Sequence, residues 1–303
     1  MLLTMILLFG FLAGIFGLIV WYYGATIETN LMIGLIIVFV AGFTAIQWWS
    51  APWFIRRTTR MRELKQSEQP WLHESLKRLA RKAGIKTPKL YLVMDGTPNA
   101  FAFGRTPNDA SIAVHSGLLK ALNKDEVTAV LAHEVGHVKH WDVAVITLAS
   151  MIPLLVYYLI ILFFSGRDRN GGNWIAVFVG ALFAQFLSRL IVMHLSRTRE
   201  YYADAFSAAA TRKPGALQNA LAKISYGFPR GISVKDYQVK RAFYIADPIQ
   251  AASEPDDLRE AIAWEKTNSW AQFKELLGTH PLTYKRLNAL EELKADLPLL
   301  EAV

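Results

Sequence analysis

LAHEVGHVKHWD, residues 131–142, runs without a break into VAVITLASMIPLLVYYLIILFF, residues 143–164. The first stretch carries three histidines and two acids. The second carries no charge and is long enough to cross a bilayer, which takes about 20 apolar residues. A cluster of metal-type ligands therefore stands at the foot of a membrane span. That junction organises the reading of the whole chain.

Three more apolar blocks accompany it. Leu2–Tyr23 and residues 31–55 are free of charge, and a fourth runs from Trp174 to about Leu195, broken only by Arg189. Hydrophobic residues make up 53% of the chain, more than an ordinary soluble domain carries. The excess sits in these blocks, so the expectation is a mainly α membrane protein with four transmembrane helices. The first block is too long and lacks the basic lead of a cleaved secretory signal, and a second span follows at once. The chain divides as residues 1–55 (two spans), 56–142 (a first polar part), 143–195 (two spans) and 196–303 (a second polar part).

Lys and Arg set the orientation. The segment after the second block holds Arg56, Arg57, Arg60, Arg62 and Lys65, and Lys120, Lys124 and Lys139 precede the third. Arg197 and Arg199 follow the fourth. The loop at residues 24–30 has no basic residue, and that at 165–173 has only Arg167 and Arg169 with Asp168 between them. Both termini and both polar parts are expected in the cytoplasm, in a multi-pass plasma (inner) membrane. Trp21, Trp48, Trp49, Trp53 and Trp174 lie near block ends, as interfacial anchors do. Arg189 can snorkel to the head groups. The net charge of +8 lies largely beside the bilayer, where anionic lipid attracts it. Nothing resembles a nucleic-acid-binding module. The spans lack paired charges, which argues against a transporter. With no cysteine, disulfides and thiolate metal ligands are excluded.

In the first polar part, SEQPWLHESLKRLARKAGI reads as a helix with Leu72, Leu76 and Leu79 on one face and Gly84 as its stop. KLYLVM, NAFAFG and SIAVHS read as strands. NKDEVTAVLAHEVGHVKHWD reads as one helix, with Asn123 as cap and Glu126 completing a capping box. In the second part, REYYADAFSAAAT continues as helix out of the fourth span, GALQNALAKI is helical, and HPLTYKRLNALEEL closes the chain as an amphipathic helix with His280 before its first turn. Residues 227–270 have no pattern that assigns an element.

His133 and His137 are four residues apart and share a helix face. Both imidazoles can reach one Zn²⁺, and Glu134, one residue on, flanks the same face as a general base must. Gly136 leaves the other flank bare. A catalytic zinc takes three protein ligands. His140 is one candidate for the third, although three ligands from a single helix strain a tetrahedral site. A histidine six residues past His137 is absent, since Val143 stands there. Glu200 is the stronger candidate, with Asp204 one turn later suited to orient a ligating histidine. A membrane-anchored zinc binder without turnover is the competing class, and Glu134 argues against it.

Taken together, HEVGHVKHWD, two apolar spans, SRTREYYADAFSA and THPLTYKRL resemble the HtpX family of membrane zinc proteases, of the heat-shock type. They are more distantly similar to the CAAX prenyl endopeptidases. The resemblance implies a cytoplasmic α+β protease domain of the gluzincin type and one Zn²⁺ per chain. It implies that His133, His137 and Glu200 hold the zinc, that Glu134 is catalytic, and that Asp204 stands behind the ligands. NAFAFG resembles the edge strand on which such enzymes lay substrate, here Asn99, Ala100 and Phe101. His280 is then placed to steady an oxyanion. Arg197, Arg199 and Arg286 are candidates either for pairing with site acids or for a solvated, lipid-facing place. The expected activity is zinc-dependent hydrolysis of peptide bonds in membrane-associated or misfolded proteins, as membrane protein quality control.

Overall fold

The computed structural model describes residues 27–165, 174–226 and 258–300, together with a few positions between 14 and 23. Most of the first apolar block and the loop with Arg167 and Arg169 lie outside the described residues.

The chain forms two compact units, Met1–Ala51 with Val145–Val192, and Pro52–Ala144 with Met193–Val303. Among the described residues three helical stretches are long and apolar enough to cross a membrane: Thr29–Thr59, Asp142–Phe164 and Ile175–Thr211. Helix α1 (Thr29–Thr59) ends in Arg56 and Arg57, which suit the negative end of its dipole. Many of its large side chains, such as Val38, Ile46 and Trp49, are exposed, as lipid-facing residues are. In the first unit Met32, Ile36 and Val40 pack on Tyr158, Ile161 and Leu162, with Phe16 stacked on Phe39 at 3.8 Å.

The second unit holds a four-stranded sheet, β1 (Arg62–Glu63), β2 (Lys89–Val93), β3 (Ala100–Phe103) and β4 (Ser111–His115), in the order β1-β2-β4-β3. β2 and β4 are parallel and the other pairs antiparallel. β3 is therefore an edge strand, as the resemblance implies. α2 (Pro70–Ala83) starts on proline and ends at Gly84, whose φ of 69° is left-handed and easy only for glycine. α3 (Ser116–Ala121) leads into α4 (Lys124–Lys139). Asn123 accepts from the Glu126 N–H, and Glu126 accepts from the Asn123 N–H, both at 2.9 Å, so the predicted capping box is present. One sheet face packs with α2 and α4 through Leu72, Leu76, Leu79, Ile112, Val127, Val130 and Leu131. This core fixes α4 beside the edge strand.

Two helix limits differ from expectation. α4 stops at Lys139 because Trp141 adopts a left-handed φ of 59°, unusual for a residue with a bulky side chain. The third apolar block is two helices, α5 (Asp142–Ala149) and α6 (Met151–Ser165). Pro153 has no N–H to give and its ring crowds the carbonyl of Ala149, which accounts for the break at Ser150. α7 (Trp174–Thr211) continues unbroken from the fourth apolar block through REYYAD. Then come α8 (Pro214–Tyr226), α9 (Leu258–Thr267), α10 (Ser269–Leu276) and α11 (Thr283–Leu300). α9 and the start of α10 fall within the stretch that the sequence leaves unassigned. Residues 227–257 lie outside the described residues.

Candidate metal centre

The second unit alone builds the site. At Gly136 a Cβ would stand 3.0 Å from the Ala203 Cα and 3.3 Å from its carbonyl oxygen, so α4 and α7 approach backbone to backbone. Glu200 lies almost one turn before Ala203 on α7, and His133 and His137 bracket Gly136 on α4. The close approach thus sets the three side chains against one another.

His133 Nε2 and His137 Nε2 face each other at 3.1 Å. Glu200 lies 3.6 Å from the first through Oε2 and 3.5 Å from the second through Oε1. One ligand atom from each of the three residues lies within 4.8 Å of the others. Tetrahedral ligands at about 2.0–2.1 Å from zinc are about 3.3–3.4 Å apart, so the spacing fits a metal ion. The outer nitrogens agree. His133 Nδ1 is 2.9 Å from Asp204 Oδ1, and His137 Nδ1 is 2.6 Å from Asp142 Oδ2. A carboxylate on each Nδ1 holds the proton there and turns the Nε2 lone pair inward. Two lone pairs facing at 3.1 Å repel unless a cation lies between them.

The field of the site favours such a cation. Burial pulls the His133 pKa down, but the Asp204 and Glu200 carboxylates beside it outweigh this and raise the value to about 9. Arg286 is only 1% exposed. It grips Asp204 in a two-pronged pair, Nε to Oδ2 at 2.8 Å and Nη2 to Oδ1 at 2.7 Å, while Nη1 lies 3.2 Å from Glu200 Oε2. Burial works against its charge, and the two carboxylates overcome this and hold its pKa above the usual value. Of the two places left open for Arg286, the structure shows the buried one. Arg199 pairs with Asp142 and donates to the His140 carbonyl. Arg197 donates to the carbonyls of Glu275, Leu276 and Gly278.

Glu134 is buried and its Oε2 accepts from the Ala102 N–H at 2.7 Å. That bond gives the register of the edge strand. The Asn99 carbonyl accepts from the His115 N–H, so Asn99, Phe101 and Phe103 turn their main chain to β4. Ala100 and Ala102 turn theirs to the open side. Of Asn99, Ala100 and Phe101, only Ala100 turns its main chain to the open side, where that of Ala102 also points. His280 Nδ1 stands 3.1 Å from Glu200 Oε1, at ion-pair distance but without hydrogen-bond alignment. His140 caps α4 and is not among the grouped ligand residues. Its ring packs near Tyr202 and Phe206, and burial lowers its pKa.

Asp142 is a neighbour of His137 that the sequence reading did not name. Its signal was its place five residues past His137. On a continued helix it would point about 140° away from His137. The left-handed turn at Trp141 brings it back.

Comparison with known proteins agrees with this architecture. The profile of peptidase family M48 matches residues 66–294. A protein named Protease HtpX homolog from Aeropyrum pernix is 37% identical over 274 residues, covering 84% of this chain and 85% of its own. The homolog from Thermococcus sibiricus is 32% identical over 300 residues, covering 96% and 95%. The crystal structure of S. mikatae Ste24p superposes with a TM-score of 0.59 at 20% identity over 95% of this chain. This chain spans 64% of that longer protein, and the likeness shows a shared fold. The profile match across most of the length, joined to relatives of nearly equal length, places the chain in peptidase family M48, as a membrane metalloprotease.

Proposed function

We propose that this protein is a zinc-dependent endopeptidase that cuts membrane-associated or misfolded proteins at the cytoplasmic face of a prokaryotic plasma membrane, as part of membrane protein quality control. The observation that carries the reading is the pair of Nε2 atoms of His133 and His137 turned toward each other and toward the Glu200 carboxylate. A glutamate as third ligand makes the domain gluzincin-like. These three residues would hold zinc, which would supply an activated water near neutral pH and polarise the scissile carbonyl.

The chain's own groups do the rest. Glu134 takes a proton from the attacking water and returns it to the leaving amine. An extended substrate pairs with β3 through the main chain of Ala100 and the carbonyl of Ala102, which selects for an extended backbone more than for side chains. Such a preference suits unfolded segments. Glu134 already bonds the Ala102 N–H, so base and strand meet where a scissile peptide would lie. His280 steadies the developing oxyanion, an effect worth about 3 kcal/mol when aligned. Asp204 and Asp142 keep the protons on the two Nδ1 atoms, and Arg286 balances Asp204 and Glu200.

Residues 1–55 and 143–195 supply four spans in this reading, and residues 56–142 and 196–303 are the two halves of the protease. Two spans separate His133 from Glu200. An even number returns both halves to one side, in agreement with the Lys and Arg count. A cysteine at Ser67 should resist an impermeant thiol reagent in intact cells, and one at Asn170 should react. The reverse pattern moves the chemistry to the other face. The test of the activity is casein digestion with and without 1,10-phenanthroline. Chelation is expected to abolish cleavage and Zn²⁺ to restore it, and full activity in metal-free enzyme refutes the zinc reading.

A further inference from the structure

We infer that α10 and the turn after it form a docking face for the membrane surface, resting among the lipid head groups where the apolar block of residues 174–195 ends. The inference depends on that stretch crossing the bilayer.

The side chains of α10 divide by face. At about 100° per residue, Ala271 and Glu275 share the inward side. Ala271 is buried, and Glu275 accepts from the Leu282 N–H and pairs with Lys285. Trp270, Phe273 and Leu276 point outward, 59%, 49% and 53% exposed, and Leu277 extends the face past the helix end. Trp270 and Phe273 stack on each other, with ring centroids 5.5 Å apart. Lys274 lies over the Trp270 ring at 5.6 Å. On α9, Lys266 and Trp264 are exposed as well. Aromatic and aliphatic side chains fringed by lysine, with no acid among the outward residues of α10, are the composition of a helix that lies in a lipid interface.

Arg197 says what covers this face. Its Nη1 donates to the carbonyls of Glu275 at 2.8 Å, Gly278 at 2.9 Å and Leu276 at 3.3 Å. Arg197 stands two residues past Leu195, where the apolar block ends. Two residues of chain reach at most about 7 Å, and the head-group layer is itself about 5–7 Å deep on each side. The end of α10 is thus held, across the length of the Arg197 side chain, near the end of the apolar block. A Trp–Phe–Leu face held there meets head groups, and Lys266 and Lys274 meet their phosphates. The same turn leads through Gly278 to His280, so the lipid contact and the metal centre share one short stretch of chain.

The chain has no native cysteine, which gives a clean test. Single cysteines at Trp270 and Phe273 are introduced into the full chain, spin-labelled and reconstituted in phosphatidylethanolamine–phosphatidylglycerol vesicles. Collision with oxygen is then compared with collision with a water-soluble nickel chelate by electron paramagnetic resonance. Phe183→Cys, within the span, is the lipid reference. Glu74→Cys, at an exposed position on α2, is the water reference. The oxygen-to-nickel ratio at 270 and 273 is expected several-fold above that at 74 and approaching that at 183. A ratio at 270 and 273 equal to that at 74, with 183 reading lipid, overturns the docking face and leaves the span intact. Labels shielded from both reagents overturn it as well, because protein then covers the face. A water-like ratio at 183 removes the span and the docking face together.

Discussion

Replacing Gly136 by alanine adds one methyl group where α4 and α7 cross most closely. Its nearest neighbours would be the Ala203 Cα at 3.0 Å, and the Ala203 carbonyl oxygen and Phe206 Cβ at 3.3 Å. Ordinary carbon contacts lie at about 3.5–4.0 Å, so the helices must part by roughly half an ångström. Overpacking of this kind costs about 1–3 kcal/mol. Alanine also returns about 1 kcal/mol of helix propensity, so the net loss of stability is expected to be about 0–2 kcal/mol. Metal affinity gains nothing from propensity, which is the same with or without zinc. Metal sites hold their ligand distances to about 0.2 Å, and the parting moves Glu200 away from both histidines. A loss of zinc affinity of tenfold or more is therefore expected, equal to at least about 1.4 kcal/mol. The assay is competition with a fluorescent zinc chelator in detergent, alongside thermal unfolding of the same samples. Unchanged zinc affinity in a folded Gly136→Ala protein would refute the argument that this crossing sets the site.

Glu134→Gln is expected to keep zinc and lose about 10²–10⁴-fold in turnover, the usual worth of a general base, and zinc content beside casein cleavage checks it. Asp142→Asn is expected to weaken zinc about 10–100-fold through His137. An equal loss in a chain that already lacks His137 would show that Asp142 acts elsewhere. Glu265 is buried on α9, where it accepts from the Tyr284 N–H at 3.0 Å. Burial raises its pKa above the ordinary 4.5, against the smaller pull of its hydrogen bonds. Its contribution to stability is full below that ordinary value and is lost as pH rises through the raised one. Glu265→Gln is expected to flatten the decline of melting temperature across that window, and parallel curves for the two proteins count against it.

Local chemistry made much of this molecule readable from sequence. The capping box at Asn123 and Glu126, the stop at Gly84 and the shared face of His133 and His137 all follow from spacings within a few residues. What escaped depends on distance or on rare backbone. Trp141 adopts a left-handed conformation that no propensity favours, and the role of Asp142 follows from it. Ala102 rather than Asn99 or Phe101 faces the open edge because of which strand β3 pairs with, and a one-residue shift reverses that. The two-pronged grip of Arg286 on Asp204 spans 82 residues and has no local signature. The break before Met151 did have one, in Pro153, which a reading based on hydropathy alone passes over.

Arg286 lies near the end of the chain, and that place has a bearing on synthesis. The ribosome makes His133 and His137 roughly 150 residues before it makes Arg286, an interval of about 8–30 s at ordinary elongation rates of about 5–20 residues per second. Throughout that interval Glu200 and Asp204, once made, have no arginine to balance them and cannot be buried together without strong mutual repulsion. The metal centre therefore cannot reach its balanced form until Arg286 has been made. A chain stopped short of Arg286 would hold its metal ligands without the positive charge that lets them be buried together.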